Sequence, residues 1–473
     1  MSALAQSLLL SLGALGVATV LGLGSALVWS ACPPGIARLG RLLAGITLVQ
    51  PPFLAANAWL DLTGDLRSSG NTPSGAAWGL GLTILVLGLT LWPIPALAVH
   101  AAWSRMPVGW LEAEPRSAGL GLFRRHLWPA ARPSLGPALG LVGILAITQF
   151  TLPVLFQVKV LPEAVWLSLN TRLDTWGAVT ASLPMALVPI LVWRWIGKDP
   201  VQWIPGTATG EAADRLHDRL RGSAFVLALP WALVAVGLGL GLPWGRLILE
   251  PRTWSELPGA LAAGGSATAN SLLGALLGAG AATGAGLLAV FLQGSRARGP
   301  GLLWILFLVP GVVLSVGWIA LLRLPGLGVL ASSPLLFAMA LGLRHLAPAW
   351  AAVAAAARTA DPDLVHAAQL DGNRFHAFRT GLWPQIRGKV FATAGIVYLL
   401  ALWDVESVLL VAPPGGETLA MRIFNLLHYG HATQVNALCV VLAVLGAVPW
   451  ILGPPLLRWL TPNRSESVEG GQR

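Results

Sequence analysis

Stretches of about 20 consecutive apolar residues recur from end to end of this chain. Each is long enough to cross a ~30 Å hydrocarbon core as a helix. Only 11% of the 473 residues are charged, where a soluble domain carries about a quarter. The runs do not alternate as the strands of a membrane β-barrel must. The expected fold is an all-α polytopic membrane protein with about eleven spans. Five are read at about 8–30, 42–60, 77–102, 136–156 and 177–196. Six more follow at about 223–243, 268–292, 301–322, 332–357, 390–412 and 436–457. No Lys or Arg precedes the first run, so it reads as a retained span and not as a signal peptide.

One segment occurs twice. "LFRRHLWPAARPSL" covers Leu122–Leu135, and "DGNRFHAFRTGLWPQIRGKV" covers Asp371–Val390. A shift of 255 residues puts Phe123 on Phe378, Arg124 on Arg379, Leu127 on Leu382, Trp128 on Trp383, Pro129 on Pro384 and Arg132 on Arg387. The chain thus divides into two related halves. The first is 1–196 with a polar loop at 108–135, and the second is 223–460 with its loop at 358–389. A polar linker, 197–222, joins them, and a tail at 461–473 has the composition of a disordered segment. Placing both repeated loops in the cytoplasm gathers most of the 30 Lys and Arg there, as the positive-inside rule asks. The N-terminus is then outside and the C-terminus inside. The net charge of +10 is explained by this topology and by lipid headgroups, without nucleic acid.

The second copy, with its lead-in "ADPDLVHAAQL", reads as a docking element. Asp361 and Pro362 start a helix, with Leu364, Ala367, Ala368 and Leu370 as its apolar contact. Asp371-Gly372 signals a turn in which Gly accepts positive φ. A second short helix then puts Phe375 and Phe378 on one side and Arg374 and Arg379 toward solvent, until Pro384 ends it. A basic loop that only anchors the membrane face is the plainer alternative, and two copies at matched positions weigh against it.

These residues resemble the "EAA" loop of ABC-importer permeases, and the span order and duplication resemble the fused permeases of that family, such as those for ferric iron and thiamine. Ala367, Ala368, Gly372 and Pro384 match the pattern, while His366 stands where Glu is usual. In the first copy Leu111 takes the Glu position, Glu112 and Ala113 the Ala-Ala, and Ser117 the Gly. The resemblance implies two halves of type I permease fold in a bacterial inner membrane. It also implies two ATP-binding subunits docked on 111–132 and 366–387, and an external solute-binding protein. Coupling would then fall to Glu112, Ala113, Ser117, Phe123, Arg124 and Pro129, and to His366, Ala367, Ala368, Asp371, Gly372, Phe378, Arg379 and Pro384. The chain itself has no phosphate-cradling loop, since Gly197-Lys198 and Gly388-Lys389 are followed by Asp and Val. It is expected to be a transport subunit, not an enzyme, and to need no cofactor. The fused arrangement and "TLAMRIFNLLHYG" favour ferric iron as the solute. Thiamine, or another small solute such as a phosphonate or polyamine, is the alternative. An ion-coupled secondary transporter would also carry repeats and mid-membrane charges, but it gives no reason for two docking loops.

Charge within a span is costly and usually faces a cavity or a partner. Arg344 lies in 332–357, and Asp404 and Glu406 lie in 390–412. The same register puts Gln149 and Thr151 at the matching positions of the first half. These five are the candidate pathway residues. The competing reading is a buried ion pair of Arg344 with Asp404 or Glu406. An intramembrane enzyme would need Asp404 and Glu406 to act together, and residues two apart on a helix do not share a face. His345 reads as a packing residue, and His428 and His431 as a solvated loop end. Cys32 and Cys439 lie too far apart in sequence for a metal motif. The external loops 157–176 and 413–435 each read as holding a short amphipathic helix.

Overall fold

A computed structural model of the chain describes residues 2–459, apart from 69–75, 107, 114–118, 172–176, 179, 186, 188–190, 192–215, 221, 295–298, 334 and 429–431. The described residues are helical with connecting turns, and none of them forms a strand. Among the described residues, seven helices are long and apolar enough to span a bilayer, and two bent pairs raise this to nine. Half of the predicted span at 177–196 falls outside the described residues, and the described half is helical. The last, 436–457, lies within a helix at Ala432–Trp459.

The duplication is visible in three dimensions. In the first half α1 (Ala3–Ala31), α4 (Trp78–Ser104) and α5 (Trp128–Ile147) pack on one another. Between α1 and α4 runs a broken pair, α2 (Pro34–Val49) and α3 (Pro52–Ser68), bent by 87°. The second half repeats the order. Its three packed helices are α8 (Gly265–Gln293), α9 (Leu335–Arg358) and α11 (Trp383–Trp403). Its broken pair, 301–308 and 311–322, bends by 103°. The straight spans expected at 42–60 and 301–322 are therefore each two helices. Pro51-Pro52 and Pro310 mark the breaks, because Pro cannot donate to the preceding turn. Small residues four apart, Gly274, Gly278, Ala282 and Gly286, are buried in α8. They let its backbone approach α9 closely.

The halves interleave. Helix α7 (Phe225–Leu249), the first of the second half, lies along α1 of the first. Gln50 at the α2–α3 break donates to the Gly239 carbonyl of α7 at 2.7 Å.

Predicted spans 136–156 and 390–412 also end early. Helix α5 stops at Ile147 and α11 at Trp403. The 255-residue register puts Ile147 on Leu402, one residue from the observed stop. Each half then turns and forms a ten-residue helix, α6 (Leu161–Asn170) in the first and α12 (Leu419–His428) in the second. Both expected amphipathic helices are present. The final helix, α13 (Ala432–Trp459), packs against α11 and α12.

Candidate functional site

The docking segment of the second half begins as its sequence indicates. Asp361 caps α10 (Pro362–Leu370), accepting the Asp363 amide at 2.9 Å. The buried residues of α10 are Val365 and Ala368, whereas His366 and Ala367 are exposed. Leu364 and Leu370, expected inside, are 57% and 90% exposed, and neighbouring Phe375 is 60% exposed. The reason is helical period: positions 365 and 368 share the inward face, and 364 and 370 do not.

Gly372 has no positive φ. A side chain there would instead lie 3.0 Å from His376. Asp371, at the end of α10, is exposed. Arg374 does not face solvent alone: it donates to the Leu292 carbonyl at the end of α8 and stacks on Phe291 at 5.7 Å. The expected second short helix is continuous with the span, so that 374–403 is one helix. Pro384 therefore does not end a helix. It follows a π-turn, Ala377–Leu382, in which the Trp383 amide reaches back to Phe378. The wider turn accommodates a residue that has no N–H to give.

The first half carries the same device. Phe123–Leu127 is a π-turn, the Trp128 amide reaches back to Phe123, and Pro129 follows. The Phe123–Trp128 rings lie 6.2 Å apart at 36°, and Phe378–Trp383 lie 6.2 Å apart at 31°. The repeated sequence is the signature of this turn. Arg124 and Arg379 are both exposed beside it. Gly381 was not singled out by the sequence, yet a Cβ there would sit 3.0 Å from Ala368 and 3.1 Å from the Leu364 carbonyl. It lets α10 lie on the π-turn, and the first copy has His126 at the matching position.

The candidate docking segment of the first half has one helical stretch at Val108–Ala113 and another, Gly119–Leu122, that runs into the π-turn. Leu111 is buried, Glu112 is exposed and Ala113 closes the stretch. Ser117 lies outside the described residues. The linker takes part here. Residues 216–220 form a helical turn whose Leu216 and Leu220 are buried against the same cluster as Leu111 and Leu127. Arg219 donates to the Leu111 carbonyl at 2.6 Å, and Trp103 donates to the Leu127 carbonyl at 2.8 Å.

Of the charged residues read as intramembrane, Asp404 and Glu406 lie just past the end of α11, and Arg344, midway along α9, reaches a break with its side chain. Asp404 follows the last residue of α11 and folds the next turn, accepting the Ser407 amide at 2.9 Å and its hydroxyl at 2.7 Å. Glu406 accepts the Phe150 amide of the other half at 2.9 Å and also the Gly311 amide. A Cβ on Gly311 would meet Glu406 at 2.6 Å, so only Gly fits there. Gln149 and Thr151 flank Phe150 at the matching break, with Thr151 opening the short helix Thr151–Leu155. Arg344 takes the carbonyls of Leu306 and Val309 and stacks on Phe307 at 5.7 Å. It caps the C-terminal end of 301–308, where a cation is favoured. The expected Arg344–carboxylate ion pair does not form among the described residues. Arg344, Asp404 and Glu406 thus hold three chain breaks together. His345 is buried and bonds to the Leu341 carbonyl at 2.9 Å, as a packing residue does.

Beyond the breaks, at the end remote from the docking segments, the halves touch. Phe150 lies 6.3 Å from Trp166 of α6 and 5.6 Å from Phe424 of α12, and Phe424 stacks on His428 at 6.3 Å. Asn57 donates to Asn436 across the halves at 2.8 Å. Burial raises the Glu163 carboxyl in α6 above its ordinary range, opposed by the Val160 amide, Lys159 and His428. His431 lies outside the described residues. No cluster of three metal-ligating side chains occurs among the described residues, and both cysteines are free.

Between the halves lies a cavity of about 540 Å³. Helix α2 lines it on one side, α11 and α13 on the other, and Trp244 of α7 closes one wall. It extends along α2 from Gln50 to Arg41, toward the docking end, and Trp403 stands beside it. The sequence reading missed these residues, because apolar side chains on separate spans carry no sign of facing one another.

No sequence-family profile matches the chain, and no solved structure matches it. Among curated proteins, the thiamine transport system permease protein ThiP of Brucella suis is 26% identical over 378 residues. The match covers 75% of this chain and 67% of that relative. The protein of the same description from Brucella abortus matches at the same identity and coverage.

Proposed function

On the premise that the chain is, by homology, an ABC-importer permease of the fused kind, we propose that it forms the membrane pathway for a thiamine-like solute delivered by an external binding protein. The observation that carries this reading is the similarity over three quarters of the chain to thiamine-system permeases. Ferric iron, the solute favoured by the sequence alone, has no support from these relatives.

The two halves comprise 1–196 and 223–460, with 197–222 between them. ATP-binding subunits, one per half, dock at the cytoplasmic end. The exposed Leu364, Leu370 and Phe375 around α10 suit a partner groove, since exposed apolar side chains grouped on one element mark an interaction surface. On the first half Glu112 and the residues up to Pro129 form the weaker counterpart, stiffened by Arg219. The solute passes through the cavity between the halves. The Phe150, Trp166, Phe424 and His428 contacts close the outer end, while the cavity extends toward the ATPases. Dimerisation of the ATPases pulls the docking segments together and reverses that bias. A loaded binding protein shifts the equilibrium only by its differential affinity for the two states.

Thiamine carries a flat cationic thiazolium ring, and Trp244 and Trp403 line the cavity with aromatic groups that attract such a charge. The test is uptake of labelled thiamine into vesicles holding this chain with its ATPase and binding protein. ATP-dependent uptake is expected. Absence of thiamine uptake, with another solute taken up by the same assembly, would replace thiamine and keep the permease. Uptake that follows an ion gradient without ATP would overturn the importer.

A further inference from the structure

A second cavity, of about 320 Å³, lies at the docking end beneath the turn from α1 to α2. Among the described residues its lining includes Arg38, Arg41, His100, His217, Ser30 and Ser104, and no Asp or Glu. Arg38 and Arg41 are the fifth and eighth residues of α2, one and two turns in from its start. Helix α2 has no acidic residue in its first turn to compensate them.

The internal polar groups are already arranged. Arg41 has only donors, so it donates to His100 Nε2, 3.0 Å away. His100 Nδ1 then carries the proton and donates to Ser30 Oγ at 3.1 Å. Ser30 donates to the Ala26 carbonyl at 2.9 Å. This chain fixes the Arg41 guanidinium at the cavity wall. Arg38 makes no hydrogen bond or ion pair among the described residues and is exposed beside it. His217, on the linker turn, is held by the Ala31 carbonyl at 2.8 Å. A basic loop serving topology alone would send its charges into solvent, whereas these groups line one pocket with Arg38 at its exposed rim.

We propose that this cavity binds a phosphate-bearing anion, held by Arg38 and Arg41 with His217 on the linker side. Guanidinium forks match phosphate oxygens and hold them by charge-assisted bonds. The phosphate comes either from an anionic lipid headgroup, since the cavity sits at a span end, or from a soluble phosphate compound. His217 and Arg219 lie on the same linker turn, and Arg219 holds Leu111 of the first docking segment. The anion therefore sits one helical turn from the coupling surface.

The experiment uses the full chain in two arms. In one, the detergent-purified chain is titrated with inorganic phosphate and with pyrophosphate by calorimetry. In the other, the chain is taken from vesicles of phosphatidylcholine with one-quarter phosphatidylglycerol, and retained lipid is read by native mass spectrometry. Saturable binding in the first arm identifies a soluble phosphate, and retained phosphatidylglycerol in the second identifies a lipid. In either case Arg38→Gln should weaken binding about tenfold, the loss of one charged hydrogen bond. Arg38→Glu should abolish it, while Arg252→Gln, on an exposed helix away from the cavity, should not change it. Arg38 is exposed and unpaired among the described residues, so these variants fold. No binding in either arm, or binding indifferent to Arg38→Gln and Arg38→Glu, would overturn the site.

Discussion

At the scale of single residues, the buried charges of this chain act first on the backbone. Glu406 is the clearest case, because its carboxylate joins the amides of Phe150 and Gly311 and so ties a break in one half to a break in the other. Removing one partner leaves buried donors unsatisfied, which costs about 2 kcal/mol for a bond to a charged group. Glu406→Ala should therefore lower the melting temperature of the purified chain, and Glu406→Gln, which keeps an acceptor, should recover most of the loss. If Glu406→Ala leaves stability untouched and abolishes transport, the residue belongs to the pathway and the tether is incidental. The sequence showed these residues as costly and placed Gln149 and Thr151 opposite Asp404 and Glu406. It did not show that the helices stop there, because hydropathy counts residues and not hydrogen bonds.

At the scale of elements, the repeated segment is a π-turn followed by Trp-Pro, with α10 laid across it in the second half. The turn was legible in outline: two copies in register, a capped helix start at Asp361, and Pro at a fixed place. Its continuity with the span was not, since Pro usually ends a helix and only the wider π-turn removes the conflict. The inward face of α10 was also misread, because Leu364 and Leu370 are apolar yet point out. Gly381 gives the sharpest test of the element. Gly381→Leu drives a side chain into Ala368 and the Leu364 carbonyl, and overpacking of this kind costs about 1–3 kcal/mol. Since α10 is exposed on its other side, the strain is relieved by lifting it off the π-turn. The expected result is a chain that inserts normally but binds its ATPase weakly and transports slowly. A Gly381→Leu protein with wild-type ATPase recovery and transport would place the docking surface elsewhere.

At the scale of the whole molecule, the two halves are copies in order but not in detail. Each has three packed helices, a broken pair, a π-turn and a remote amphipathic helix. Among the described residues, only the first has its candidate docking segment braced by the linker, and only the second has a glycine that seats a helix on the π-turn. The asymmetry extends to the cavity between them, where Trp244 and Trp403 both come from the second half and α2 from the first. A symmetric pore would present like groups to a solute from both sides. Here the second half contributes both tryptophans among aliphatic side chains, and α2 contributes aliphatic side chains with Arg41 and Gln50 at the two ends of its row. Removing one of these rings should then cost binding, while Trp403→Phe keeps most of the ring's partial packing against the core. A desolvated cation–π contact is worth about 2 kcal/mol, or roughly thirtyfold in affinity. Trp403→Ala is expected to raise the thiamine concentration for half-maximal uptake by about that factor, and Trp403→Phe to restore part of it. ATP hydrolysis and ATPase recovery should stay at wild-type levels in both, which separates a defect in the pathway from a defect in docking.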